Sequence, residues 1–429
     1  IIAMRNIILH QREERDRLLS LPYIDRQTTY PVDMLLQSPM IKLITGPRRV
    51  GKSVFALLAL KNTNFAYLNF DDNQLLANWN EDIAMQTLSD VYPNFQYLLL
   101  DEVQNLPNWD LWITTLYRRG YNLIITGSNA HMLSQEMATV LTGRYIPIAM
   151  YPFSLPETLQ WYDITPTNIP TEKQAKAVSL QDEYLRLGGY PEIVKARELA
   201  QSYLSTLYDS ILLKDVAKRH KIRNTDGLYN LAGYLLANFC NLITANDITK
   251  EFGLKSVTTT QKFLNYLHEP YLFFYLQRFN NKLKAMKKAA RKVYVVDNGF
   301  VSTTAFNISE NLGRLLENQV FVELIRQGYD TENTLFYYRS RNDKEVDFVT
   351  RKGVKVEKLI QVCYDLTSEK TRRREIDALI EVAGELKCQT LQIISYQHKE
   401  IIEEKGFTIQ VIPFMEWVNK PILVTPEIH

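Results

Sequence analysis

The chain has 429 residues, 46% hydrophobic and 23% charged, a mixture that excludes disordered and fibrous classes and suits two to four globular domains. With 50 Lys and Arg against 48 Asp and Glu, the formal net charge is +2, so affinity for nucleic acid or membrane has to come from a local patch. The 3 cysteines and 6 histidines are too scattered for a disulfide framework or a zinc site, and with no apolar run of membrane-spanning length a cytoplasmic protein is expected.

In chain order, the opening stretch IIAMRNIILHQREERDR turns heavily charged and does not read as a secretory signal. Short apolar runs at residues 41–45, 65–70, 97–100, 123–126 and 145–150 predict strands. Amphipathic stretches between them, such as 53–61 and 109–119, predict helices, and the alternation predicts a parallel sheet built from βαβ units. Residues 165–173, TPTNIPTEK, read as a linker, and helical patterning follows over 181–220. NDITKEFG, closed by Gly253, and VTTTQKFLNYLHE, headed by Ser256, predict a helix-turn-helix. Further on, a helix is predicted over 312–326, with strands at 335–339, 345–351 and 358–364.

The run Gly46-Pro47-Arg48-Arg49-Val50-Gly51-Lys52-Ser53, followed by Val54, matches Gly-x4-Gly-Lys-Ser/Thr between a predicted strand and a predicted helix. A loop that wraps a polyphosphate must turn its backbone N–H groups inward, and Gly46 and Gly51 permit that path. The helix beginning near Lys52 adds its positive end. Lys52 is expected to reach the terminal phosphates and the Ser53 hydroxyl to ligate Mg²⁺. The strand in YLLLDEVQNLPNW ends in Asp101 and Glu102, at the sheet edge where such folds bind ligands. There Asp101 would hold the magnesium through its water shell, and Glu102 would polarise the attacking water. NLIITGSNA ends in Ser128 and Asn129, which either sense the terminal phosphate and help position water or cap a helix. Arg144, in LTGRY, either stabilises charge on the transferring phosphoryl group or forms a surface ion pair.

The segments GPRRVGKS, LLLDEVQNLPNW, IITGSNAHML, LTGRY and MYPFSLPE resemble the bacterial and archaeal AAA-type ATPases. The likeness continues through LGGYPEIV, DSILLKDV, VYVVDNGF and EVDFV. It implies an α/β fold: an ASCE-type P-loop NTPase domain at 1–160, a helical linker or lid at 161–225, a winged-helix-like domain at 226–292 and a C-terminal domain of unassigned function at 293–429. ATP and Mg²⁺ follow from the same resemblance, with Lys52, Ser53, Asp101 and Glu102 in the roles given above. ATP is expected over GTP because the chain also lacks an Asn-Lys-x-Asp guanine reader.

Ser256, Thr259, Thr260, Gln261 and Lys262 are residue types that meet phosphates or base edges. Lys282, Lys284, Lys287, Lys288, Arg291 and Lys292 form a run without an acid, an electrostatic footprint for a phosphate backbone. DNA is thus one candidate partner, and a protein packed on the same segment is the other. The C-terminal region resembles the α+β restriction-endonuclease-like core, with Glu317 and Asp347 fitting its acids. Where that core needs a lysine, the chain reads Gln361-Val362-Cys363, and cysteine cannot replace a cationic amine; Lys344 and Lys358 are the nearby substitutes. A nuclease-like fold used for binding or assembly is expected, with ATP-dependent cleavage as the lesser alternative. Lys370, Arg372, Arg373 and Arg374 form a second basic stretch, which either grips a nucleic-acid backbone or begins a solvated helix. The expected activity is slow, Mg-dependent ATP hydrolysis that repositions the later domains. A nucleotide-gated switch with little turnover is the alternative.

Overall fold

The computed structural model describes residues 2–129, 143–280, 289–304 and 312–419. They divide into two compact units, one running to Tyr151 and including Glu269–Tyr271, the other comprising Pro152–His268 and the residues from Leu272 on.

In the first unit, strands β1 (Ile41–Thr45), β2 (Phe65–Asn69), β3 (Tyr97–Asp101), β4 (Asn122–Gly127) and β5 (Tyr145–Ala149) lie in the order β2-β3-β4-β1-β5. Every neighbouring pair is parallel. A parallel sheet needs cover on both faces, which is why its strands are near-continuous apolar runs; Leu98, Leu99 and Leu100 are all fully buried. The strands agree with the sequence expectation to within a residue at each end. Helix α1 (Ile2–Leu19) was not anticipated, because its surface is densely charged. Its buried residues Met4, Ile7, Ile8 and Gln11 follow helical spacing, and the first three join the core of the sheet. Gln11 ties the helix to the end of β2, donating from Nε2 to Asn69 O (3.1 Å) and accepting at Oε1 from Asn69 N–H (2.9 Å). Helices α2 (Lys52–Leu60), α3 (Glu81–Val91) and α4 (Trp109–Arg118) complete the βαβ pattern.

The second unit has helix α5 (Thr171–Leu187), the helix pair α6 (Ala245–Glu251) and α7 (Val257–His268), then α8 (Leu312–Arg326) and α9 (Glu369–Leu386). Strands β6 (Leu242–Ile243), β7 (Phe273–Leu276) and β8 (Arg291–Val295) form an antiparallel sheet ordered β6-β8-β7. Strands β9 (Leu335–Arg339), β10 (Glu345–Lys352), β11 (Lys355–Cys363), β12 (Leu391–Ser395), β13 (Glu400–Glu404) and β14 (Phe407–Pro413) form a mixed sheet ordered β13-β14-β12-β11-β10-β9. The second helix of the pair is capped as expected, the Thr259 N–H donating to Ser256 Oγ (3.1 Å). The continuous helical pattern over 181–220 is instead broken after Leu187, where Gly188 takes φ +75 and Pro191 starts a short new helix.

That break is fixed by a buried polar network. Asp297 accepts from the N–H groups of Gly189 and Gly299, both at 2.8 Å. Asn318 pairs with both backbone groups of Val295 (2.9 and 2.8 Å) and donates to Asn298, which in turn donates to Leu185 O and Leu315 O. The segments LGGYP and VVDNG therefore close on each other through hydrogen bonds that exclude side chains at the glycines. A Cβ on Gly189 would lie 2.0 Å from Phe153 O. Gly189→Ala should therefore cost upwards of ~3 kcal/mol, whereas Gly384→Ala, in an open stretch of α9, should gain up to about 1 kcal/mol; urea midpoints check both.

Burial also pushes the carboxyls of Asp297 and Glu323 up to about 7. Between their unfolded values and about 7 the folded chain holds protons that the unfolded chain has released, so this contribution to stability falls as pH rises. Urea midpoints should decline from pH 5 to pH 8 on this account, and Glu323→Gln should make the decline shallower.

Candidate functional site

After β1 the chain turns through Gly46 (φ +147) and Gly51 (φ +91) into α2. A Cβ on Gly46 would stand 2.0 Å from Met150 O, so only glycine lets the loop pass the end of β5. Pro47 and Val50 are buried, Arg48 half-buried and Arg49 exposed with φ +65; Val54 follows in the first turn of α2. Arg26, from the segment before β1, pins the loop by donating to Val50 O (2.6 Å) and Tyr151 O (2.7 Å). Lys52, buried at 4% exposure, folds back to donate to Pro47 O (2.9 Å) and lies 3.5 Å from Glu102 Oε1.

The strand order brings a second group to the same edge. Because β4 lies between β1 and β3, Thr126 stands beside Asp101 and donates to its Oδ1, while accepting from the Glu102 N–H (3.0 Å). Ser53 Oγ also donates to Asp101 Oδ1 (2.8 Å), and Tyr67 OH donates to Oδ2 (3.3 Å). Burial pushes the Asp101 carboxyl up to about 6, the Glu102 charge adding to it and the hydrogen bonds opposing. The Ser53 hydroxyl and the Asp101 carboxylate are hard oxygen donors of the kind Mg²⁺ takes. Among the described residues, no group of three or more His, Cys, Asp or Glu is arranged to hold a metal ion unaided.

Glu102 adopts left-handed backbone, φ +51. Its Oε2 accepts from Gln104 Nε2 (2.5 Å) and from Ser128 Oγ (3.0 Å). Burial alone would raise this carboxyl, but Lys52, Gln104, Arg48 and Ser128 together outweigh it and hold it below the usual carboxylate range. Asn129, the next residue after Ser128, is fully buried.

Lys52, Ser53, Asp101, Glu102 and Ser128 thus converge at the carboxyl ends of β1, β3 and β4. Arg144 does not join them. It precedes β5, its carbonyl accepting from Ile41 N–H (3.0 Å) at the opposite end of the sheet, about 15 Å along the strand from the loop. Its guanidinium lies over the Tyr117 ring and lines a cavity of 540 Å³ with Pro39, Tyr121 and Asn122. A role for Arg144 at this chain's own phosphate loop is therefore corrected: the sheet separates the two. Sequence reasoning missed Gln104 and Arg26. Gln104 was within reach, as the second residue after Glu102 in a tight turn; Arg26 lies in no motif.

In the second unit several expectations are also corrected. Lys282, Lys284, Lys287 and Lys288 lie outside the described residues. Arg291 and Lys292 do not extend a solvated basic patch: Arg291 donates to Gln261 Oε1 (2.5 Å), and Lys292 is buried among Glu317, Glu345 and Asp347. Thr260, counted among the residues of a type that meets phosphates or base edges, is fully buried and bonded to Thr249 (2.6 Å). Of the two readings of the second basic stretch, the structure has the solvated helix start: Arg372, Arg373 and Arg374 lie in the first turns of α9 and pair within the chain, Arg372 with Glu400, Arg373 with Asp377 and Glu404, Arg374 with Glu375. Lys358 does not stand in for the absent lysine, facing Glu357 (3.6 Å); Lys344 lines the same pocket as Glu317 and Asp347, with its amine 3.9 Å from Asp377. Burial pushes the Cys363 thiol up to about 12.

Residues 38–159 match the family model of the AAA domain. Residues 178–311 and 312–417 match two domains of unknown function, DUF8612 and DUF4143. An uncharacterized protein of Methanocaldococcus jannaschii is 33% identical over 408 residues, 90% of either chain. One of Haemophilus influenzae is 32% identical over 398 residues, 88% of this chain and 94% of that one. Among solved structures, the Walker-type ATPase of Pyrococcus abyssi is 15% identical with a TM-score of 0.40, over 68% of this chain and 95% of the other.

Proposed function

This chain belongs to the family of AAA-domain proteins that those archaeal and bacterial relatives represent, and we propose that it binds ATP with Mg²⁺ and hydrolyses it. The observation that carries the reading is the meeting of Lys52, Ser53, Asp101 and Glu102 at one edge of the parallel sheet. In this reading the amides of residues 46–54 and the start of α2 cradle the phosphates. Ser53 and Asp101 would hold the magnesium, which when bound neutralises phosphate charge. Lys52 exchanges its bonds to Pro47 O and Glu102 for the terminal phosphates. Glu102, kept ionised, then accepts a proton from the attacking water, while Gln104 and Ser128 hold its carboxylate in place. Asn129, next to that pair, is assigned to positioning the water.

A switch with little turnover is the second reading, and the pairing of Lys52 with Glu102 favours it, since the base is engaged until phosphate draws the lysine away. For the rest of the chain the reading takes 1–160 as the ATPase domain and 161–225 as its helical lid. It takes 226–292 as winged-helix-like and 293–429 as nuclease-like without cleavage. DNA binding would rest on Ser256, Thr259 and Lys262, together with lysines outside the described residues. Labelled DNA titrated over a salt series, with and without ATP, tests it; binding that neither weakens with salt nor responds to nucleotide points to a protein partner instead.

Lys52→Ala should abolish both nucleotide uptake and turnover, read by calorimetry and phosphate release. Glu102→Gln should keep binding and lose turnover by about 10²-fold or more; normal hydrolysis in that variant would remove Glu102 as the base. Gln104→Leu should lower kcat about tenfold with KM little changed, because Gln104 touches the base and not the phosphates.

A further inference from the structure

Inside the second unit three carboxylates meet one ammonium. Lys292 Nζ, on β8, lies 3.0 Å from Glu317 Oε1 on α8, and 2.8 and 2.9 Å from Glu345 Oε1 and Asp347 Oδ1 on β10. The lysine side chain is 3% exposed. An ammonium has three N–H donors, and here each has a carboxylate of its own. The acids are further satisfied by the chain: Tyr294 OH donates to Glu317 Oε1 (2.7 Å), and Val362 N–H donates to Asp347 Oδ2 (2.9 Å). A buried ion group holds only with such complete pairing.

We propose that Lys292 is the resident cation of this acidic pocket, its ammonium filling a place that a divalent ion could enter only if the lysine were removed, and that the second unit folds and works without one. The spacing fits an ammonium. Oxygens at 2.8–3.0 Å suit N–H···O bonds and stand outside the roughly 2.0–2.1 Å of Mg²⁺ and the roughly 2.3–2.6 Å of Ca²⁺. All three donors are spent, so the amine has none left to steady a water or a phosphate oxygen. The neighbouring strand offers no substitute. Gln361 is occupied by Glu375 (2.5 Å) and by Asp347 N–H (3.2 Å), and Cys363 Sγ is bonded to Asp365 O (3.2 Å). The pocket is nevertheless accessible, with 480 Å³ lined by Glu317, Glu345 and Asp347 and, further round, by Arg314, Lys344 and Arg374, so removing the lysine would leave a place among the three acids that a small cation can enter. The inference is independent of what the phosphate loop binds.

The test is thermal melting of the full, nucleotide-free chain in EDTA and in millimolar MnCl2 or CaCl2. Wild type should melt at one temperature in all three. Lys292→Ala should melt about 10 °C lower in EDTA and recover most of the loss with metal. Lys292→Ala/Asp347→Asn should not recover. A wild-type upshift with metal that disappears in Asp347→Asn would overturn the proposal, as would a Lys292→Ala variant indifferent to metal. If Lys292→Ala does not fold, calorimetric titration of Mn²⁺ into wild type and Asp347→Asn decides alone: equal heats support the resident lysine, and uptake that depends on Asp347 refutes it.

Discussion

A carboxylate buried as completely as Asp101 must be hydrogen-bonded or be driven to neutrality, and the first unit is organised around meeting that requirement. Its donors come from three different elements: Ser53 on α2, Thr126 on β4 and Tyr67 on β2. Tyr67 reaches it from β2, the neighbour of β3 on one side; Ser53 and Thr126 reach it because β4 is inserted between β1 and β3, which sets the loop after β1 and the acid ending β3 on either side of one threonine. The same threonine accepts from the Glu102 N–H, so the left-handed turn at Glu102 and the position of Asp101 are set together. The phosphate-loop geometry and the acidic strand end are thus one construction, held by shared hydrogen bonds.

The second unit solves a comparable problem with buried amides and acids. Asp297, Asn298 and Asn318 satisfy backbone groups of segments far apart in sequence, and the glycines at 188 and 189 leave the space they need. Glu323 and Arg326 on α8 pair with each other (3.1 Å), and Arg326 reaches Pro152 O (2.8 Å). Polar groups of this kind contribute little net energy compared with an apolar replacement, but leaving one partner alone is costly, so they favour a single arrangement of the elements.

Much of the first unit was legible in the sequence because parallel strands are buried on both faces and declare themselves as uninterrupted apolar runs. The glycine spacing and the strand ending in Asp101-Glu102 were equally local signals. What escaped was set by distance through space. Helix α1 hides a narrow buried stripe under charge, and Arg26 contacts the phosphate loop from outside any pattern. Arg144 sits directly before a strand that looks suited to the site, yet direction along the sheet sends it to the far edge. Charge was the least legible property. Three consecutive arginines at the start of α9 read as a cationic surface in one dimension and are spent on four acids in three. Lys292, counted within a basic run, turned out to be an interior residue.

The pyramidal fit around Lys292 constrains which residues position 292 can accept. A guanidinium is also positive, but it is planar and presents its hydrogens as a flat fork, so it cannot point three of them at oxygens spread around a single nitrogen. Charge conservation alone would therefore not preserve this interior. A larger cation in its place would have to push β8, β10 and α8 apart, so at this position an exchange usually counted as mild becomes a change of architecture.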